Sequence, residues 1–145
     1  MIYSKQPKDF IPDIEVVGCL VEFNGKILLL HRHDNKPEGN KWGLPGGKID
    51  KEDININVAM LRELQEETGL ILNEKDLIFY KTFFVSHLGY NFLYHYFNCK
   101  LEGIPEIIIA EKEHKAFSWL TSEEALCMPL VMDEDYCLKD YYGIK

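Results

Sequence analysis

The sequence predicts a layered domain of the α/β or α+β class, and three observations predict it. Stretches of β-branched and aromatic residues are separated by turn residues, one long segment carries a helical pattern, and two shorter helical patterns follow near the end of the chain. Antiparallel strands with so few helices fit neither a helix bundle nor a barrel.

The elements follow in chain order. Ile14 to Phe23 and Lys26 to Arg32 are strand-like, and between them lies Asn24-Gly25, the strongest short hairpin signal because both residues accept positive φ. Asp34 to Lys41, with Pro37, Gly39 and Asn40, has loop chemistry throughout. Asn55 to Thr68 contains neither Gly nor Pro, and Gly69 stands where a left-handed C-terminal cap belongs, so this is the most clearly marked helix. Leu77 to His87 and Phe92 to Leu101 are strand candidates on either side of a turn at Gly89-Tyr90-Asn91. A loop around Gly103-Ile104-Pro105 leads to a short strand at Ala116 to Leu120. Thr121-Ser122-Glu123-Glu124 then reads as a capping box, with Thr121 as N-cap and Glu124 returning to its backbone amide. Pro129 should stop that helix, and Asp133 to Tyr142 fits a last amphipathic one.

Bulk properties narrow the function. The 145 residues suit a single domain over 1–145, with one core and one site. Hydrophobic residues at 46% and charged residues at 28%, with no long run of either, exclude a disordered chain. No apolar stretch approaches the roughly 18 to 20 residues that cross a bilayer, and the polar start Met1 to Gln6 lacks a signal-peptide core, so a cytoplasmic setting is expected. Cys19, Cys99, Cys127 and Cys137 have no metal-binding spacing and read as reduced thiols, mostly in the core. With 24 acidic against 16 basic residues the net charge is -8, a field that repels polyanions, so broad nucleic-acid binding is not expected. A small phosphorylated substrate stays compatible if a divalent cation bridges carboxylates to phosphates.

Within the central helix runs Arg62-Glu63-Leu64-Gln65-Glu66-Glu67-Thr68-Gly69-Leu70. At about 100° per residue, Glu63, Glu66 and Glu67 share one sector while Val58, Leu61 and Leu64 point broadly the other way. One face can pack while the other presents three acids. Taken alone, such a run is read first as a solvated helix face. Like charges at these spacings cost a few tenths of a kcal/mol per pair (roughly 0.2–0.5), and a hard divalent cation reverses that sign, with oxygen ligands suiting Mg²⁺ or Mn²⁺. The preceding loop changes the balance, because Trp42-Gly43-Leu44-Pro45-Gly46-Gly47-Lys48 puts adjacent glycines directly upstream, where a backbone can approach an anion or metal closely.

Gly47 followed by Arg62 to Leu70 resembles the signature of the Nudix hydrolases: a glycine, five residues, a glutamate, seven residues, then Arg-Glu-aliphatic-any-Glu-Glu-any-Gly-aliphatic. The last nine positions match without exception. One departure stands upstream: counting forward from Gly47 the isolated glutamate falls on Asp53, and counting back from Arg62 it falls on Ile54, so Lys48 to Leu61 is one residue longer than the pattern. Either Asp53 or Glu52 is placed to supply that carboxylate, which in the family mainly supports the loop and helix.

The resemblance implies an α/β/α sandwich with a mixed sheet, whose loop-helix-loop motif over 47–70 holds divalent metal, usually Mg²⁺, against a diphosphate. It implies Glu63, Glu66 and Glu67 as metal ligands, the Gly47 carbonyl as a further one, and Arg62 orienting a helix carboxylate by a charge-assisted contact. The reaction implied is in-line attack of water on phosphorus in a nucleoside di- or triphosphate or a derivative. For the general base, Glu63 and Glu113 are the candidates, with Glu111 competing with Glu113. Arg32 and Lys48 are candidate phosphate contacts. His31 and His33 share a strand face but lack a third metal ligand nearby. His87 and His95 read as structural, and Trp42, Tyr90 and Phe92 offer rings for a base, with core or turn packing the default. The alternative function is a nucleotide-sensing module that binds without cutting; action on RNA ends is disfavoured by the charge. The sequence leaves open the base, the phosphorus attacked and the oligomeric state, a homodimer included.

Overall fold

The computed structural model describes residues 1–103 and 105–145; of the loop expected around Gly103-Ile104-Pro105, Ile104 lies outside the described residues. The strands are β1 (Ile2–Tyr3), β2 (Ile14–Phe23), β3 (Lys26–Arg32), β4 (Trp42–Gly43), β5 (Gly46–Lys48), β6 (Ile78–His87), β7 (Tyr90–Leu101) and β8 (His114–Leu120). The α-helices are α1 (Ile56–Thr68), α2 (Ser122–Leu126) and α3 (Glu134–Tyr142). All eight strands join one mixed sheet in which β2 and β7 run parallel in register from Ile14↔Phe92 to Phe23↔Leu101, while the other strand pairs are antiparallel.

Alternation along the buried strands separates two cores. Val17, Cys19 and Val21 of β2 face α1, where Ala59, Met60 and Leu64 complete one cluster with Phe97 and Cys99. Leu20, Ile27 and Leu29 face the other side, where Phe83, Val85 and Tyr96 meet Ala125 of α2 and Cys137 and Leu138 of α3. A helix layer therefore covers each face of the sheet, the sandwich that the resemblance implies.

The expected hairpin forms, with Asn24 at φ 52° and Gly25 at φ 77°, but β2 and β3 stay paired only at Glu22↔Ile27 and Phe23↔Lys26. Beyond that the strands part and 42–48 fills the gap: β4 pairs with β3 at Leu30↔Gly43, and β5 pairs with β2 at Val17↔Gly47. Gly46 is required at this wedge because a Cβ there would run into the Val17 carbonyl.

Two sequence expectations need correction. The turn between β6 and β7 consists of Leu88 and Gly89, with Gly89 at φ 97°, and Tyr90 already pairs with His87 in the sheet, so Tyr90 and Asn91 are strand residues. On α1 the packed face is Ala59, Met60 and Leu64 together with Glu63, while Val58 is only half-buried, so the acids do not occupy a face opposite the core. The caps form where expected: the Asn55 side chain accepts from the Val58 amide at 2.9 Å, Gly69 closes the helix at φ 76°, and Thr121 and Glu124 bond reciprocally.

Candidate active site

The three acids of α1 lie beside β5 in three different environments. Glu63 is buried against Gly47, so close that a Cβ on that glycine would stand 2.6 Å from Glu63 Oε1. Glu67 has a side chain 12% exposed, and its Oε1 accepts a 2.7 Å bond from the Gly46 amide. Glu66 is exposed toward solvent. The two adjacent glycines thus do separate work: the missing Gly47 side chain admits the Glu63 carboxylate, and the Gly46 N–H fixes the Glu67 carboxylate.

Arg62 is the clamp of this cluster. Its Nη1 donates to Glu63 Oε1 at 3.0 Å and Glu66 Oε2 at 3.1 Å, and its Nη2 donates to Asp53 Oδ2 at 2.9 Å and the Lys48 carbonyl at 3.2 Å. Between the two candidates for the displaced motif carboxylate, Asp53 is the one engaged. Its side chain is 5% exposed, binds Arg62 and accepts the Asp50 amide at 2.9 Å, whereas Glu52 is exposed. The extra residue is absorbed in the turn around 50–53, and the shorter Asp53 side chain still reaches the guanidinium. That pairing holds the Asp53 carboxyl below its usual range and pushes the guanidinium up.

The electrostatics are those of crowded acids. Burial pushes the Glu67 carboxyl up to about 8, against the Gly46 amide, and the Glu63 and Glu113 charges add to the rise. Burial also raises Glu63, with Arg62 opposing. His114 sits 4% exposed at the start of β8 with Nδ1 4.0 Å from Glu67 Oε2; burial and then Arg32 push it down to about 4, so it is neutral at pH 7. Glu113, one residue earlier, contacts Lys36 at 3.3 Å and lines the same cavity of about 450 Å³ as Glu63, Glu66, Glu67, Arg32 and Lys48. Glu111 does not line it; its carbonyl instead binds the His33 ring.

A second cavity, about 220 Å³, shares Val16, Arg32, Gly46 and Gly47 with the first and continues between β6, β7 and the start of α3. It is walled by Tyr90, Phe92 and Tyr94, with His87, Asp133 and Glu134 among its polar groups. Tyr90 and Phe92 are therefore placed for a ring, whereas Trp42 stacks on His31 at 4.3 Å outside this lining. His95 is tied to Glu15 and Thr82 at 2.8 Å each, and His87 packs edge-on against Tyr90 and Phe92 while also lining the cavity. His114, Asp133 and Glu134 carried no local signal, because their place depends on how β8 and α3 return to the sheet.

The donor set fits a hard divalent cation. It is all oxygen, it gathers acids around Arg62, and the Arg32 charge opposes the rise of the Glu67 carboxyl less than burial drives it. Among the described residues no three acid, imidazole or thiol groups converge tightly enough to enclose an ion unaided. An ion held there would complete its shell with water or substrate oxygens.

A cluster of helix carboxylates over a glycine backbone thus adjoins an aromatic cavity. Comparison with known proteins gives the family. The NUDIX domain model matches residues 12–141. A CTP pyrophosphohydrolase of Escherichia coli is 31% identical over 91% of this chain and 93% of its own. An ADP-ribose pyrophosphatase of Methanocaldococcus jannaschii is 39% identical over 46% of this chain and 38% of its own. Among solved structures, a MutT Nudix hydrolase from Burkholderia pseudomallei superposes with TM-score 0.73 at 26% identity, covering 87% of this chain and 95% of that one. The chain belongs to the Nudix hydrolase family.

Proposed function

We propose that this chain is a single-domain Nudix hydrolase acting in the cytoplasm, and that it cleaves the pyrophosphate linkage of a nucleoside di- or triphosphate or a derivative with Mg²⁺, or Mn²⁺, as cofactor. The observation that carries this reading is the seating of Glu63 and Glu67 against the Gly46–Gly47 backbone, with Glu66 lining the same cavity and both glycines shared with the aromatic cavity. The E. coli relative named for CTP pyrophosphohydrolysis, aligned over nearly its whole length, supports the substrate class.

Glu63, Glu66, Glu67 and the Gly47 carbonyl would hold the metal, which when bound neutralises charge developing on the phosphates and polarises the attacking water. Arg62 keeps two of those carboxylates in fixed positions and is itself held by Asp53, so the ligands are set before substrate arrives. Arg32 and Lys48 line the same cavity and supply positive charge to the phosphate chain. Glu113 lines the cavity from the loop before β8 and is our first choice to take the proton from water, ahead of Glu63.

The test is a panel of nucleotides and derivatives incubated with the folded protein, with and without Mg²⁺, with the products identified by mass. Release of phosphate, pyrophosphate or a mononucleotide only when metal is present is the expected result. Tight metal-dependent binding with no turnover of any member would instead identify a sensing module.

A further inference from the structure

His114 opens β8, opposite Arg32 of β3 and next to the register shift between His31 and Arg32. The residue is 4% exposed, and its Nδ1 is a buried polar atom without a hydrogen-bond partner among the described residues. Leaving such an atom unpaired is costly, and native structures keep few of them. Facing it at 4.0 Å is Glu67 Oε2, a separation about 1 Å beyond a hydrogen bond. The other oxygen of the same carboxylate, Oε1, already accepts the Gly46 amide at 2.7 Å. The backbone of β5 thus fixes one end of the Glu67 carboxylate, and the imidazole stands beside the other end.

The chemistry of the ring suits that place. Burial, and then the charge of Arg32, keep it neutral at pH 7, and a neutral imidazole carries a single N–H on one nitrogen or the other. A carboxylate facing Nδ1 selects the tautomer with the proton on that nitrogen, since a carboxylate only accepts. A ligating carboxylate bound by a single donor remains free to turn about it, whereas donors at both oxygens set its plane; contacts of this kind around a metal ligand tune affinity for the ion. Resting on the reading of Glu67 as a metal ligand, we infer that His114 is a positioning residue whose Nδ1–H donates to Glu67 Oε2 when a divalent cation is bound and holds that carboxylate toward the cation. His114 itself does not bind the ion, because its lone pair then lies on the other nitrogen. Gly46 and His114 act as a pair, one donor from the strand beside α1 and one from the strand that returns to β3.

Mn²⁺ binding to the nucleotide-free protein, followed by the EPR signal of the free ion, reads this without turnover. His114→Phe keeps a buried ring without a donor, and His114→Asn returns an N–H close to the place of Nδ1. The phenylalanine variant should bind Mn²⁺ about tenfold or more weakly, and the asparagine variant should recover most of that loss. A phenylalanine variant that melts and binds Mn²⁺ as wild type does overturns the inference, as does an asparagine variant no better than phenylalanine. Should the phenylalanine variant fail to fold, nitrogen NMR of the wild-type imidazoles decides: at saturating Mg²⁺ the proton of His114 should reside on Nδ1, and an unprotonated Nδ1 overturns the inference. Wild type that binds no Mn²⁺ defeats the metal reading of Glu67 and this inference with it, whereas equal binding by wild type and both variants leaves that reading standing and defeats His114 alone.

Discussion

Replacing Glu67 by glutamine removes one negative charge from the acidic cavity while keeping an oxygen for the Gly46 amide, which now donates to Glu67 Oε1 at 2.7 Å. The wild-type carboxyl, largely buried, is raised from 4.5 to about 8. A carboxyl raised in the folded state binds its proton more tightly there than in the unfolded chain, so this group does not penalise folding below about 4.5, and stability falls as pH rises from there through about 8. At about 1.36 kcal/mol per pH unit, the cost reaches about 4 kcal/mol at pH 8, where the group is half ionised. Metal-free E67Q has no such group, so urea melts in EDTA should find it as stable as wild type near pH 4.5 and several kcal/mol more stable at pH 8. Mg²⁺ at a hundred times its Kd should narrow the gap at pH 8 by up to about 2.7 kcal/mol, because the variant lacks one of the ligating oxygens and gains less from the ion. Parallel stability curves for the two proteins from pH 4.5 to 8 would refute the account of a charge held in wait for a cation.

Other expectations follow from the same geometry. Asp53→Ala leaves the half-buried Arg62 without its strongest partner and should cost about 2–4 kcal/mol of stability together with most activity, whereas Glu52→Ala should stay within about 0.5 kcal/mol; equal effects in chemical denaturation would return the motif carboxylate to Glu52. Gly47→Ala places a methyl 2.6 Å from Glu63 Oε1 and should lower kcat by about a hundredfold by displacing that carboxylate, while the melting midpoint falls only slightly. Wild-type kcat in that variant would mean that the close contact has no catalytic weight.

Local chemistry was legible in the sequence wherever it was self-contained. The Asn24-Gly25 turn, the Asn55 and Gly69 caps of α1, and the Thr121–Glu124 box each involve residues a few positions apart, and each forms as read. The acid trio was legible as a composition but not as an environment. Periodicity placed Glu63, Glu66 and Glu67 on one solvent-facing stripe, while the glycines of β5 admit α1 so closely that Glu63 and Glu67 are drawn inside. Asp53 was visible only as one of two carboxylates, because its choice depends on how the longer turn folds back toward Arg62. The aromatic cavity was the least legible part. Its walls come from β2, β6, β7 and the start of α3, and nothing near His87 or Asp133 in sequence signals that the sheet brings them to 3.5 Å.

The most direct measurement of the central claim is nucleotide turnover by Glu66→Gln beside wild type at saturating Mg²⁺, with thermal melts of both. The Glu66 side chain is 58% exposed, so its replacement should change stability by no more than about 0.5 kcal/mol. The account predicts a loss of about a hundredfold or more in kcat in a protein that melts as wild type does. Turnover undiminished in that folded variant would contradict it and place the metal chemistry elsewhere.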